Sequence, residues 1–145
     1  MCVNALVAPT SSIGRTGVNM LGMNAFPDFM KDPANRIARS NQATPGVEGY
    51  VFDGQGGSQM AFWTCSENAQ SVEHVHDYDE YMLVVQGCFT LVIKGNRIPL
   101  RAGEEYFIPR GVAHGGEVVA GTRTIHAFGA ITCCLPNGNM AFSCW

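Results

Sequence analysis

The stretch Glu73-His74-Val75-His76-Asp77-Tyr78-Asp79-Glu80-Tyr81-Met82-Leu83-Val84-Val85-Gln86-Gly87 decides how this 145-residue chain reads. Two histidines stand two residues apart, and a glutamate follows four residues after the second, at the entrance to an apolar run. Residues i and i+2 of a β-strand point to the same face, so His74 and His76 reach into one space if the segment is extended. Imidazole nitrogen and carboxylate oxygen both ligate divalent first-row metals. The stretch therefore predicts a metal site with Glu80 as its carboxylate, and the rest of the chain has to supply a further ligand and a pocket.

The alternation continues on both sides. Val47 to Asp53 is a strand candidate closed by Gly54-Gln55-Gly56-Gly57, and Gln59 to Cys65 is a second, giving a hairpin. Ser71 to His76 reads as a third. Glu80 to Gln86 and Cys88 to Lys94 flank Gly87, a bend or bulge. Lys94-Gly95-Asn96-Arg97 is a turn, Ile98-Pro99-Leu100 a short edge strand, and Tyr106-Phe107-Ile108 a strand ended by Pro109-Arg110-Gly111. Val118-Val119 and Arg123 to Phe128 complete the set. Many short strands with turn signals between them predict an all-β sandwich or barrel over residues 43–130.

Residues 1–42 read as an N-terminal arm, irregular up to Gly22. Within it Phe26, Phe29, Met30 and Ile37 fall at the spacing of a short helix over 26–38, interrupted near Pro33. Residues 131–145 form a C-terminal tail with one strand candidate, Met140 to Phe142.

Composition narrows the function classes. The chain is 46% hydrophobic, 14% charged and carries a net charge of −3. That is too apolar for disorder. Lys and Arg form no cluster, which argues against a nucleic-acid partner. No apolar run is long enough for a membrane helix, and no secretory signal is expected. The six cysteines (Cys2, Cys65, Cys88, Cys133, Cys134, Cys144) contain no C-x-x-C pair and read as reduced thiols of a cytoplasmic protein.

A second stretch, Gly103-Glu104-Glu105-Tyr106-Phe107-Ile108-Pro109-Arg110-Gly111-Val112-Ala113-His114, runs a strand into a Pro-x-Gly turn and on to the next histidine. Together the two stretches resemble the paired motifs of the cupin superfamily. His74, His76, Glu80 and Gly87 follow H-x-H-x3-E-x6-G, while Gly103, Pro109, Gly111 and His114 follow G-x5-P-x-G-x2-H. Fifteen residues separate Gly87 from Gly103, as in small microbial cupins. The chain departs from the pattern at Asn68, where the family has glycine, and at Val118, where it often has asparagine. The resemblance covers about residues 47–129. It implies a double-stranded β-helix (jelly-roll) barrel, with one divalent transition metal per chain (Fe, Mn, Ni, Co or Zn) held by His74, His76, Glu80 and His114. It also implies a homodimer, by strand exchange or sheet packing.

His126 lies on the inward face of the last strand if Thr124, His126 and Phe128 share a face. It reads either as a donor or general base beside the metal, or as a hydrogen-bonded core histidine without a catalytic part. Met60, Phe62, Met82, Val84, Gln86, Tyr106 and Ile108 are further candidates for an apolar pocket lining. Tyr78 and Arg110, next to the ligand-bearing turns, are anion-binding candidates or exposed turn residues. The functional expectation is an enzyme acting on a small molecule, of dioxygenase type. The alternatives are a non-catalytic cupin binding a metal and a small ligand, and a metal-dependent isomerase or decarboxylase.

Overall fold

A computed structural model describes residues 26–41 and 44–129. The expected tail strand at Met140 to Phe142 and the first part of the arm lie outside the described residues. Nine strands follow one another: β1 (Val47–Asp53), β2 (Gln59–Cys65), β3 (Ala69–Gln70), β4 (Glu80–Gln86), β5 (Cys88–Ile93), β6 (Asn96–Arg101), β7 (Glu105–Ile108), β8 (His114–Val118) and β9 (Arg123–Phe128). They pair in two antiparallel sheets, β1-β2-β9-β4-β7 and β3-β8-β5-β6, stacked as a jelly-roll barrel.

The alternating apolar residues of β4, β5, β6 and β7 make the core between the sheets. Met82, Val84, Leu91, Leu100 and Ile108 are buried together there, each side chain contributing about 1.5–3 kcal/mol if fully removed from water. The chain crosses from one sheet to the other at Gly87, between β4 and β5, where φ is +78°. Buried Thr122 packs against this corner, and its hydroxyl bonds both the N–H (3.1 Å) and the carbonyl (3.0 Å) of Cys88. The two-residue turn Lys94-Gly95 has positive φ at both positions, as a tight β5–β6 hairpin requires. Pro99 sits on β6, an edge strand, where a missing N–H costs little.

Several expectations are corrected. Residues 26–38 make no continuous helix. Two single 3-10 turns form instead, Asp28–Met30 and Pro33–Asn35. The Asp32 side chain accepts the Ala34 N–H and starts the second turn at Pro33. Phe26 is buried against Phe62, whereas Phe29 points into solvent. Ser71 to His76 is not a strand. The short β3 lies earlier, and His74 makes only an isolated bridge to His114. On β2, Met60 and Phe62 face outward, Phe62 beneath Phe26 and Phe52, while Ala61, Trp63 and Cys65 face the barrel interior. The apolar outer face explains why the direction of this strand reads wrongly from composition. Cys65 is a free, buried thiol, but Cys88 is disulfide-bonded, so the reading of six reduced cysteines fails at that residue. Among the described residues no helix is long and apolar enough to cross a membrane.

Candidate metal centre

The sheet register brings the predicted residues to one end of the barrel. Glu80 opens β4 opposite Ile108 of β7 and Phe128 of β9. The bridge between His74 and His114 consists of two backbone bonds, 2.9 and 3.0 Å, which place one histidine directly across from the other. His76 is fixed through its carbonyl, which accepts the Gly111 N–H at 2.8 Å. The Pro-x-Gly turn thus holds the loop of the first motif as well as presenting His114. The departure at Asn68 is absorbed locally, because its carboxamide oxygen accepts the Ala120 N–H at 2.8 Å.

The ring atoms of His74, His76 and His114 that can ligate lie within 4.8 Å of one another. Nδ1 of His74 is 2.9 Å from the Val72 carbonyl, and Nδ1 of His114 is 2.9 Å from the Val112 carbonyl. A carbonyl only accepts, so both Nδ1 atoms carry the proton. The neutral rings then offer Nε2 lone pairs to the shared space, the arrangement that orients histidines as metal ligands.

Glu80 is buried, and its Oε2 lies 3.2 Å from Nε2 of both His76 and His114. Those approaches are close but not aligned as hydrogen bonds, so Glu80 Oε2 and His114 Nε2 are buried polar atoms without a hydrogen-bond partner. Two buried acceptors facing each other at that distance call for positive charge between them. The donor set, three imidazoles and one carboxylate, fits a divalent first-row metal. Glu80 approaches two of the three histidines in this way.

The electrostatics of Glu80 and His76 favour an ionised carboxylate beside a neutral ring, while His114 gains proton affinity from that same carboxylate. Burial pushes the Glu80 carboxyl up, but the close approach of His114, the hydrogen bond from His126 and the charge of both rings outweigh it and hold the group well below the usual carboxylate range. Burial lowers His76, helped by His74 and His114 against the opposing pull of Glu80, so that ring stays neutral at pH 7. His114 is raised. Burial pulls it down, and the Glu80 carboxylate and the Val112 carbonyl more than compensate.

His126 is brought to the site behind Glu80. Its Nδ1 is 2.6 Å from Glu80 Oε1, and its Nε2 is 3.0 Å from Thr124 Oγ1. An ionised carboxylate only accepts, so Nδ1–H donates to it, and Nε2 of the neutral ring accepts the Thr124 hydroxyl. Oε1 is thereby occupied and Oε2 alone faces the histidine cluster. Thr124 shows no recognisable sequence signal beyond sharing a strand face with His126.

A cavity of about 770 Å³ lies between the sheets and includes all five of these residues. Met82, Ile108, Leu91, Phe89 and Trp63 line it, so of the expected lining residues Met82 and Ile108 are confirmed, and Trp63 is one that sequence reasoning missed. Tyr78 also lines it, stacked on His76 at 4.5 Å between ring centroids. Arg110 is exposed and absent from the cavity wall, its backbone N–H bonded to Asp79.

A small double-sheet β-barrel with a histidine cluster at one end is a scaffold that could hold a metal, and it is similar to known cupins. The cupin domain family matches residues 61–128. The fold is similar to that of KdgF from a Halomonas species (TM-score 0.54, 22% identity, 58% of this chain and 78% of the other). It is also similar to an RmlC-like cupin from Shewanella frigidimarina (TM-score 0.53, 24% identity, 57% and 75%). A third similar structure is the polyketide cyclase RemF from Streptomyces resistomycificus (TM-score 0.50, 20% identity, 64% and 75%). Residues 61–128 match the cupin domain family, and the fold is that of known cupin structures. No curated protein sequence matches it significantly.

Proposed function

We propose that this cupin is a metal-dependent enzyme acting on a small molecule, with His74, His76, His114 and Glu80 holding one divalent transition metal. The observation that carries the reading is the pair of buried, partnerless atoms Glu80 Oε2 and His114 Nε2, 3.2 Å apart beside two more imidazoles. When bound, such a metal supplies Lewis acidity, and as Fe(II) it also supports oxygen chemistry. The chain's own residues do the rest. His126 holds the Glu80 carboxylate through Oε1, apolar side chains make up much of the cavity wall, and Tyr78 packs over His76.

Within this reading the reaction is an oxidation of dioxygenase type. The support is the ligand set, which suits redox metals, and not the fold, since one fold hosts many chemistries. Oxygen uptake by the Fe(II)-loaded protein with a candidate substrate is the test. Turnover without oxygen with Mn(II) or Zn(II) would favour an isomerase or decarboxylase, and ligand binding without turnover a non-catalytic cupin.

We also propose a homodimer through the outer face of the five-stranded sheet. Tyr81 and Phe107 are cross-strand partners there and both are exposed, with Val85 further along β4. Light scattering of Phe107→Glu should show monomers where the wild type shows dimers, and identical masses would refute that interface.

A further inference from the structure

Among the described residues no lysine or arginine lines the cavity. The chain has nine Lys and Arg residues; Arg15 lies outside the described residues, and none of the other eight lines the cavity. Lys31 pairs with Asp28, Arg36 with Glu48 and Arg97 with Glu117. Arg123 lies over the Phe26 ring and reaches Gln86. Lys94 sits in the β5–β6 turn, Arg101 at the end of β6, Arg110 in the turn after β7 and Arg39 in the turn before β1. The charged groups that do line the cavity are Glu80 and the histidines, all gathered at one end.

Register fixes the direction of the rest. Gln59 pairs with Phe128, which pairs with Glu80, so that end of β2 is the histidine end. Cys65 at the other end of β2 pairs with Val47 of β1. The cavity continues from the histidines past Trp63, Phe89 and Leu91 to Val47 and Asn41. Six residue steps lead from Gln59 to Cys65, a length of about 20 Å. A buried charge without a partner is strongly disfavoured, whereas apolar rings are welcome on such a wall.

We propose that the ligand of this site has oxygen donors at one end and an uncharged, apolar body of one to three rings at the other. Phosphate esters, dicarboxylates and other ligands that carry a charge on the far end are excluded by that charge. This inference rests on the metal reading only for the oxygen end; the charge of the body follows from the cavity wall.

The test is a calorimetric titration of metal-loaded and metal-stripped protein with two probes, 2,3-dihydroxynaphthalene and its 6-sulfonate. They share the vicinal oxygens and differ by one anionic group at the far end. The neutral diol should bind at least about tenfold more tightly than the sulfonate. Equal or tighter binding of the sulfonate to the wild type overturns the proposal, as does failure of both probes to bind at millimolar concentration. If the protein takes up no metal yet still prefers the neutral diol by that factor, the metal reading fails and the ligand class stands.

Discussion

Replacing Gly87 by alanine should cost far more than replacing Gly95, although the two residues have almost the same backbone. Their φ values are +78° and +77°. A Cβ on Gly95 meets nothing within 4 Å, so Gly95→Ala carries only the left-handed penalty of about 1–2 kcal/mol. A Cβ on Gly87 lies 2.6 Å from Thr122 Oγ1 and 2.8 Å from Thr122 Cα. The second atom is backbone and cannot rotate away, so the corner between the sheets has to open. Overpacking of this kind costs about 1–3 kcal/mol. Displacing the Thr122 hydroxyl also weakens its two bonds to Cys88, about 1 kcal/mol each. The excess of Gly87→Ala over Gly95→Ala is therefore about 3–5 kcal/mol, which lowers the melting temperature by roughly a further 10–20 °C in a domain of this size. Parallel thermal and urea melts of the two variants isolate the crowding, because the backbone term cancels between them. Equal destabilisation of the two variants would refute the packing argument and reduce the motif glycine to a turn former.

Three further outcomes follow from the site and its surroundings. Burial pushes the Cys65 thiol from 9.0 up to about 11. Above the lower value the unfolded chain gives up its proton first, so stability falls as pH rises through this window, by up to about 3 kcal/mol; Cys65→Ala should flatten that part of the profile in urea melts, and an unchanged slope would contradict it. Thr124→Val and His126→Gln should each weaken metal binding by about 10–100-fold through loss of the Glu80 orientation, measured by competition with a chelator, while Thr124→Ser keeps wild-type affinity; unchanged affinity in both of the first two would reduce His126 to a core histidine. Glu80→Gln removes the carboxylate itself and should lower affinity by more than either, to beyond about a hundredfold; retention of wild-type metal content would remove Glu80 from the ligand set.

Legibility of this fold in its sequence tracks how strongly each element alternates. β1, β2, β4 and β9 coincide residue for residue with the bounds expected of them, set for β2 by the flanking turn residues. β8 begins at His114, earlier than its expected start at Val118, because Gly115 and Gly116 offer no side chains to alternate. Gly116 is small for a packing reason, since a Cβ there would lie 2.1 Å from the Phe89 ring. The direction of β2 is misread because both faces of that strand are apolar, one facing the cavity and the other covered by Phe26 and Phe52. His74 and His76 converge without the shared strand that their spacing predicts. The bridge to His114 and the bond from Gly111 do that work, and both are long-range contacts invisible to local pattern. The contact of His126 with Glu80 likewise depends on β9 lying beside β4, strands that are far apart in sequence.

Metal analysis of the wild-type protein, purified without affinity-tag metals from cells grown in metal-replete medium, tests the central claim most directly. The account predicts one divalent transition metal per chain, lost in His114→Ala. Folded protein that holds no stoichiometric metal under those conditions would contradict it.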